Sequence, residues 1–198
     1  MTMTCNRLNL WQFGCSLSST TVSFCPDIFS DAVASGDFSE RRAIHQHLAW
    51  GESPDYLQFP VVFHKDNGRV FRDLLPMGYG GNPFLVSEQA MKVFLDNKVS
   101  GWKSYPITLY DKKNQIITGY YGFSTIGKGG AMKGYHTSEW KIITQRDKLD
   151  YDISQWDGSD IFRIEPAFLV VTEKVKDLFL KYSLSGAYFW PLSDRVNY

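Results

Sequence analysis

Two stretches of this sequence decide its fold: FLVSEQAMKVFLDNKVSGWKSYPI at residues 84–107 and LVVTEKVKDLFLKYSLSGAYFWPL at residues 169–192. They align without a gap, 85 positions apart, and seven of the 24 aligned pairs are identical. The identical pairs are Val86/Val171, Glu88/Glu173, Phe94/Phe179, Leu95/Leu180, Ser100/Ser185, Gly101/Gly186 and Pro106/Pro191. The chain therefore contains an internal repeat, whose period is too long and whose copies are too few for a solenoid.

The chemistry of each copy predicts a strand, a capped helix, a glycine turn and a second extended segment. Ser87 and Thr172 are residues of the N-cap type, and each precedes a glutamate that suits the positive end of a helix dipole. Apolar residues at helical spacing follow, and Ser-Gly then ends each unit before an aromatic run that closes at proline. We expect the two copies to superpose as one strand-helix-strand unit, with Phe94 and Phe179 buried in equivalent places.

The rest of the chain adds strands and one more helix. Period-two alternation from Trp11 to Leu17 predicts a strand, and residues 37–50 predict a helix. Residues 59–63 predict another strand, with Asp66–Gly68 as the tight turn of a hairpin into residues 69–75. The polar loop Asp111–Gln115 predicts a second hairpin. Because helices and strands do not alternate regularly, we predict an α+β fold, a mixed sheet with a few helices, in a single domain over residues 1–198.

Composition and charge exclude several classes of protein. Of the 198 residues, 43% are hydrophobic and 16% aromatic, which is typical of a globular chain and not of a disordered one. Lys and Arg together number 21, as do Asp and Glu, so the net charge favours neither nucleic acid nor an anionic membrane as a partner. No stretch approaches the roughly 20 apolar residues of a spanning helix, and the opening residues lack a signal-peptide pattern. We therefore expect a cytoplasmic protein that binds neither nucleic acid directly nor a membrane.

The residues that most often carry chemistry form no convergent pattern. Cys5, Cys15 and Cys25 lack CxxC spacing, and we expect buried reduced thiols there and not a zinc site. The four histidines show no chelating spacing. The glycine run Gly127–Gly130 lacks the Walker spacing, which favours a flexible turn over a phosphate cradle. We expect no enzyme activity, no catalytic residues, no cofactor and no metal.

One loop concentrates acidic and aromatic residues. Five aspartates and one lysine lie between Asp147 and Asp160, on a chain whose total formal charge is zero. The spacing does not fit a calcium loop, which requires glycine where Gln155 stands. Aromatic anchors beside charge are typical of protein interfaces, so we predict a partner-binding patch in this loop. Its residues are Asp150, Tyr151, Asp152, Trp156, Asp157 and Asp160. The alternative is that Trp156 and Gly158 only pack the loop onto the core.

Four motifs follow one another between Asn82 and Gly186: the VSE helix unit, GWKSYPITLYD at 101–111 with its hairpin, WDGSD at 156–160, and the VTE helix unit. In their order they resemble a family of immunity proteins from bacterial polymorphic toxin systems, the family typified by a myxobacterial member. Members of that family are small intracellular proteins that bind and neutralise a cognate toxin domain. The resemblance implies no catalytic role.

The resemblance implies that the chain is an immunity protein that occludes the active site of a cognate toxin protein. Two alternatives stay open at this point. The first is an enzyme that reverses a toxin's covalent modification of its target, and the second is a structural interaction module of a secretion system. The sequence makes no prediction of the oligomeric state.

Overall fold

The computed structural model of the chain describes residues 9–16, 18–27, 48, 59–77, 83–131, 153–165 and 168–192. Within these residues lie thirteen strands, two α-helices and one short 3₁₀ turn. The strands are β1 (Leu10–Cys15), β2 (Ser23–Pro26), β3 (Val61–Asn67), β4 (Leu74–Pro76), β5 (Pro83–Ser87), β6 (Trp102–Tyr105), β7 (Ile107–Tyr110), β8 (Ile116–Ile117), β9 (Tyr120–Thr125), β10 (Gly127–Ala131), β11 (Ile161–Glu165), β12 (Phe168–Thr172) and β13 (Ala187–Pro191). The helices are α1 (Glu88–Asp96) and α2 (Glu173–Lys181), and the 3₁₀ turn spans Ile153–Gln155.

The strands form three sheets. The first has the spatial order β10-β11-β12-β1-β13, the second β2-β3-β7-β8 and the third β4-β5-β9-β6. Within each sheet the neighbouring strands are antiparallel, except that β10 is parallel to β11 and β3 is parallel to β7. Helices combined with mixed and antiparallel sheets confirm the predicted α+β class.

Two of the local predictions are confirmed. The alternating stretch that begins near Trp11 forms β1. The loop Asp111–Gln115 joins β7 to β8 as a hairpin, in which the backbone N–H of Asp111 donates to the carbonyl oxygen of Gln115 at 2.9 Å. The predicted helix at residues 37–50 lies outside the described residues, except for Leu48, which is helical and buried.

The predicted hairpin around Asp66–Gly68 is wrong. Gly68 does turn the chain, at φ 75°. However, β3 pairs with β2 and β7, and β4 pairs with β5. After the turn, Val70 forms a bridge with Thr21 and so leads away from β3. Local turn chemistry fixes the bend but not the strand that the next segment joins.

Both segments of the repeat contain a strand, a nine-residue helix and a second strand. Phe94 on α1 and Phe179 on α2 are both buried, and their ring centroids lie 6.0 Å apart. Superposition of the two segments stays a prediction of the sequence repeat.

Each segment encloses a third strand between its own two. In the first segment β9 lies between β5 and β6, and in the second β1 lies between β12 and β13. The pairing registers correspond, because Val86 faces Tyr121 and its aligned partner Val171 faces Trp11. The first segment is therefore completed by a strand that follows it, and the second by a strand that precedes both segments.

The two helix starts differ in their side-chain hydrogen bonds. Ser87 and Thr172 both occupy the N-cap position. The Ser87 hydroxyl accepts the backbone N–H of Ala90 at 3.1 Å. The Thr172 side chain makes no capping bond, and its hydroxyl donates to Oδ1 of Asp160 at 3.1 Å. Both residues are therefore N-caps, as predicted, but only Ser87 makes a side-chain capping bond.

Buried apolar residues connect the sheets. The largest cluster contains residues of the first sheet, the third sheet and both helices, among them Phe13, Phe94, Phe123 and Phe179. A second cluster contains residues of the second and third sheets, among them Phe24, Phe63 and Leu85. Because the third sheet contributes to both clusters, it connects the first sheet to the second.

Candidate functional site

The predicted acidic patch is only partly within the described chain. Asp150, Tyr151 and Asp152 lie outside the described residues. Trp156, Asp157 and Asp160 lie between the 3₁₀ turn and β11. Their contacts can therefore be compared with the two interpretations of the loop.

Trp156 packs the loop onto the first sheet. Its ring centroid lies 5.2 Å from that of Phe162 on β11. Its indole Nε1–H donates to the carbonyl oxygen of Ser159 at 3.0 Å. These are the contacts expected if the residue fastens the loop to the core.

Asp157 is exposed, and backbone donors hold its carboxylate. Oδ2 accepts the N–H of Lys128 at 2.8 Å, and Oδ1 accepts the N–H of Ser159 at 3.0 Å. Partial desolvation raises the pKa of Asp157, but the hydrogen bonds from Ser159 and Lys128 outweigh it, so the pKa lies below its ordinary value. Asp157 therefore presents a negative charge on the loop surface at neutral pH.

Asp160 connects the two repeat segments. Its Oδ2 accepts the N–H of Ser100 at 3.0 Å and the ammonium of Lys174 at 2.8 Å, and its Oδ1 accepts the hydroxyl of Thr172 at 3.1 Å. The side chain is only 15% exposed. Desolvation raises the pKa of Asp160, but these donors and the charge of Lys174 lower it more, so the pKa lies below its ordinary value. The contacts of this carboxylate are structural.

Asp73, just before β4, makes matching contacts with the aligned residues of the two segments. Its Oδ2 accepts the N–H and the hydroxyl of Ser185 at 2.7 and 2.8 Å, and its Oδ1 accepts the hydroxyl of Ser87 at 2.7 Å. Ser185 is the aligned partner of Ser100, and Ser87 is that of Thr172. The Ser100 hydroxyl also donates to Oδ2 of Asp160, at 3.3 Å. Each aspartate therefore bonds to one hydroxyl in each of the two segments. Nothing in the local sequence around Asp73 signals this role, because Ser185 is 112 residues away along the chain.

The glycine run at residues 127–130 is not a flexible turn, contrary to the prediction. These residues belong to β10, which pairs in parallel with β11. A Cβ atom on Gly127 would overlap the carbonyl oxygen of Ile161, and one on Gly129 would lie 2.5 Å from the Phe162 ring. The glycines therefore allow two strands to approach closely, which sequence spacing alone could not distinguish from a turn.

An exposed aromatic pair lies at the edge of the first sheet. Tyr188 and Trp190 on β13 are 37% and 39% exposed, and β13 is the last strand of that sheet in the described chain. They alternate with Ala187 and Phe189, which pack against the largest core cluster. We call Tyr188 and Trp190 the edge pair. The sequence analysis did not predict it. Period-two alternation through this aromatic run indicates that the two side chains share a face, but not that β13 ends the sheet.

The neighbouring strand leaves room for the Tyr188 ring. Gly14 on β1 faces Tyr188, and a Cβ atom at Gly14 would lie 2.6 Å from Cε1 of that tyrosine. Glycine therefore makes room for the ring to lie over β1. On the opposite face of β1, the Trp11 indole donates to Glu173 at 3.0 Å, and the ammonium of Lys176 lies 3.8 Å from the centroid of its ring. These contacts fix α2 to β1 and hold the strand that supports the edge pair.

Neither a metal cluster nor a spanning helix is found in the described part of the chain. Among the described residues, no group of three or more His, Cys, Asp or Glu side chains is arranged to hold a metal ion. Neither α1 nor α2, the two helices that the structure describes, has the length and apolar character that a membrane crossing requires.

The chain was also compared with known proteins. No protein-family model matches it, and a search of curated proteins gives no significant match. The resemblance between Asn82 and Gly186 therefore rests on its sequence motifs.

Proposed function

We propose that this chain is an immunity protein, which binds a cognate bacterial toxin domain and occludes its active site. The observation that carries the proposal is the edge pair, Tyr188 and Trp190, exposed on the last strand of the first sheet. Tyrosine and tryptophan are enriched among the residues that dominate the binding energy of protein interfaces. The resemblance to immunity proteins supports the same function.

Both residues of the edge pair lie on one face of β13. In the described chain, β13 pairs with β1 and is the last strand of the first sheet. Alternate side chains of a strand project to the same face, so the two rings can contact one surface of a toxin domain together.

The described end of the acidic loop, at Asp157, lies at the opposite edge of the same sheet. Asp157 bonds to β10, the first strand in the sheet order, whereas the edge pair lies on the last. Four inter-strand spacings of about 4.8 Å separate these edges by about 19 Å. A standard interface of about 800 Å² per partner is large enough to include both. Charge at Asp157 would act mainly on the association rate with a basic toxin cleft.

Co-expression with the toxin encoded beside the gene tests the proposal. We expect the wild-type chain to protect cells, and Trp190→Ala and Tyr188→Ala to lose protection because hot-spot truncations weaken binding by about 30-fold or more. Tyr182→Ala is the matched control, since Tyr182 is an aromatic residue of similar exposure, 38%, at the end of α2. Failure of the wild type to bind or protect would contradict the proposed function, and full protection by both edge variants would remove β13 from the interface.

The contribution of the loop is measured separately. Asp157→Asn should slow association at low salt and leave the dissociation rate nearly unchanged, because peripheral charges steer encounter. Asp160 is left intact in this experiment because its carboxylate connects the two segments. Unchanged association kinetics in a folded variant would place the loop outside the interface.

A further inference from the structure

Cysteine and asparagine are two side chains that can change covalently without an enzyme. The cysteines do not all match the prediction of buried thiols, because Cys15 is buried whereas Cys25 is only partly buried. Cys5 lies outside the described residues. Burial raises the pKa of the Cys15 thiol far above its ordinary value, which makes that thiol unreactive. The asparagines, in contrast, include one whose surroundings favour a reaction.

Asn67 is the one asparagine in the sequence that glycine follows. Because glycine has no Cβ, its backbone nitrogen is open to approach by the preceding side chain. Asn67 is exposed and is the last residue of β3. The pairing of β3 with β2 is irregular at this end, between Ser23 and Phe24. Solvent therefore reaches the Asn67 side-chain amide, at a point where the regular ladder has ended.

The side chain of Asn67 and the backbone nitrogen of Gly68 are already in contact. The Gly68 N–H donates to Oδ1 of Asn67 at 2.8 Å. Because an amide C=O bond is about 1.2 Å long, Cγ of Asn67 lies within about 4 Å of the Gly68 nitrogen. Among the residues that the structure describes, this N–H has no second acceptor. The two atoms can therefore meet without the loss of a backbone hydrogen bond.

Two other asparagines of the described chain lack this arrangement. The N–H that follows Asn97 donates to the carbonyl oxygen of Leu95 at 3.0 Å. The N–H that follows Asn114 donates to Oδ1 of Asp111 at 2.8 Å. In both cases the backbone nitrogen is bonded elsewhere and belongs to a residue with a long side chain. Asn97 and Asn114 are therefore internal controls for Asn67.

The fold requires the glycine that makes Asn67 reactive. Gly68 has φ 75°, in the left-handed region. A Cβ atom there would overlap the carbonyl oxygen of Thr21. A bulkier residue would protect Asn67, but it would also displace the backbone of Thr21.

We propose that Asn67 is a site of spontaneous deamidation, at which water converts the asparagine into aspartate and isoaspartate. The Gly68 nitrogen loses its proton to hydroxide and attacks Cγ of Asn67. A bond forms between these two atoms, the Cγ–Nδ2 bond breaks, and Nδ2 takes a proton from water and leaves as ammonia. Water then opens the resulting five-membered imide at one of its two carbonyl groups. Opening at Cγ gives aspartate, and opening at the main-chain carbonyl gives isoaspartate.

Isoaspartate would alter the backbone where it holds the segment before β2. The main chain then passes through the former side chain and is longer by one methylene group. Directly after this point, the N–H groups of Arg69 and Val70 both donate to the carbonyl oxygen of Thr20, at 2.9 and 2.8 Å. We expect the added methylene to displace these donors and lower the unfolding free energy. Either product also adds one negative charge to a chain whose formal net charge is zero.

Peptide mapping by mass spectrometry tests the proposal on the purified full chain, incubated at mildly alkaline pH. We expect the peptide with Asn67 to exchange NH₂ for OH about tenfold or more faster than those with Asn97 and Asn114. A tenfold ratio corresponds to about 1.4 kcal/mol, which is comparable to one backbone hydrogen bond. The isoaspartate should accept a methyl group from a protein-isoaspartate methyltransferase. The new acidic species on anion exchange should be absent from Asn67→Gln, whose longer side chain disfavours ring closure, and unchanged in the matched control Asn97→Gln.

The same measurement in urea distinguishes reaction of the native chain from reaction through unfolding. A reaction that required global unfolding would be about a thousandfold or more slower in the native chain than in urea. We expect the native rate at Asn67 to lie within about tenfold of the rate in urea, because no other hydrogen bond of the Gly68 N–H has to break. A native rate a thousandfold lower than in urea, or no faster than at Asn97 and Asn114, would overturn the proposal.

Discussion

At the scale of single residues, Tyr105 is buried in the second core cluster, and its hydroxyl has no hydrogen-bond partner among the described residues. Burial raises the pKa of this phenol, so it stays protonated. An unsatisfied buried hydroxyl costs free energy that a phenylalanine would not incur. The side chain fits closely, because a Cβ atom on Gly122 would overlap its ring.

We therefore expect Tyr105→Phe to leave the unfolding free energy unchanged or to raise it by about 1 kcal/mol. Tyr120→Phe is the matched control, because the Tyr120 hydroxyl donates to the carbonyl oxygen of Arg72 at 3.0 Å and its loss should cost about 1 kcal/mol. Urea unfolding measures both variants. A greater loss of stability in Tyr105→Phe than in Tyr120→Phe would show that the buried hydroxyl is satisfied.

Asp160 should make the stability of the protein depend on acid pH. Its pKa in the folded chain lies below the ordinary value of 3.8. The stabilisation is therefore complete above the unfolded pKa and is lost as the pH falls through the folded pKa. Below about pH 4, the unfolding free energy of the wild type should fall more steeply than that of Asp160→Asn.

At neutral pH, Asp160→Asn should lose about 2 kcal/mol, because hydrogen bonds to a mostly buried charge are weakened. Asp96→Asn is the control, since Asp96 forms an exposed i,i+4 pair with Lys92 and the loss of such a pair should have little effect on stability. If the unfolding free energies of the wild type and Asp160→Asn depended equally on acid pH, another titrating group would be responsible for that dependence.

At the scale of structural elements, a glycine joins α1 to β6. Gly101 has φ 84°, in the left-handed region, and a Cβ atom there would overlap the carbonyl oxygen of Ile161. Gly158 has nearly the same φ, 83°, but a Cβ atom there would meet no atom of the described residues within 4 Å. The two glycines therefore separate the cost of backbone conformation from the cost of a steric clash.

Gly158→Ala should lose about 1 kcal/mol through the backbone alone. Gly101→Ala should lose about 3 kcal/mol or more, because the main chain of β11 must also move. Thermal and urea unfolding of the two variants, measured together, give the difference. If both variants lost the same unfolding free energy, the turn that follows α1 would not approach β11 as closely as the structure indicates.

Some elements could be predicted from the sequence because their signals are local. The capping serine and apolar stripe of α1, the alternation of β1 and the polar loop between β7 and β8 each depend on neighbours within a few residues. The pairing of β3 with β7, and the structural use of Asp160, depend on residues tens of positions away. A turn signal at Gly68 or an acidic run near Asp157 contains no information about such distant partners, so local chemistry alone misassigns both.

At the scale of the whole molecule, the two repeat segments share one core and exchange contacts. Asp73 and Asp160 each bond to hydroxyls of both segments, and Phe94 packs against Phe179. The sheet of the second segment is completed by β1, which leaves β13 at its outer edge in the described chain. The edge pair is exposed because β13 is the last strand of its sheet in the described chain. Period-two alternation does not specify where in a sheet a strand lies. For this reason the sequence predicts an interaction surface in the acidic loop and not on β13.

The most direct test of the proposed function is a titration of the toxin domain with the purified chain, with heat of binding and toxin activity recorded together. An immunity protein that occludes the active site should give complete inhibition near one equivalent, with binding heat that saturates at the same ratio. Trp190→Ala should shift or abolish both transitions, and Tyr182→Ala should change neither. Complete inhibition at far less than one equivalent would indicate catalytic turnover, and the absence of binding heat would contradict the account directly.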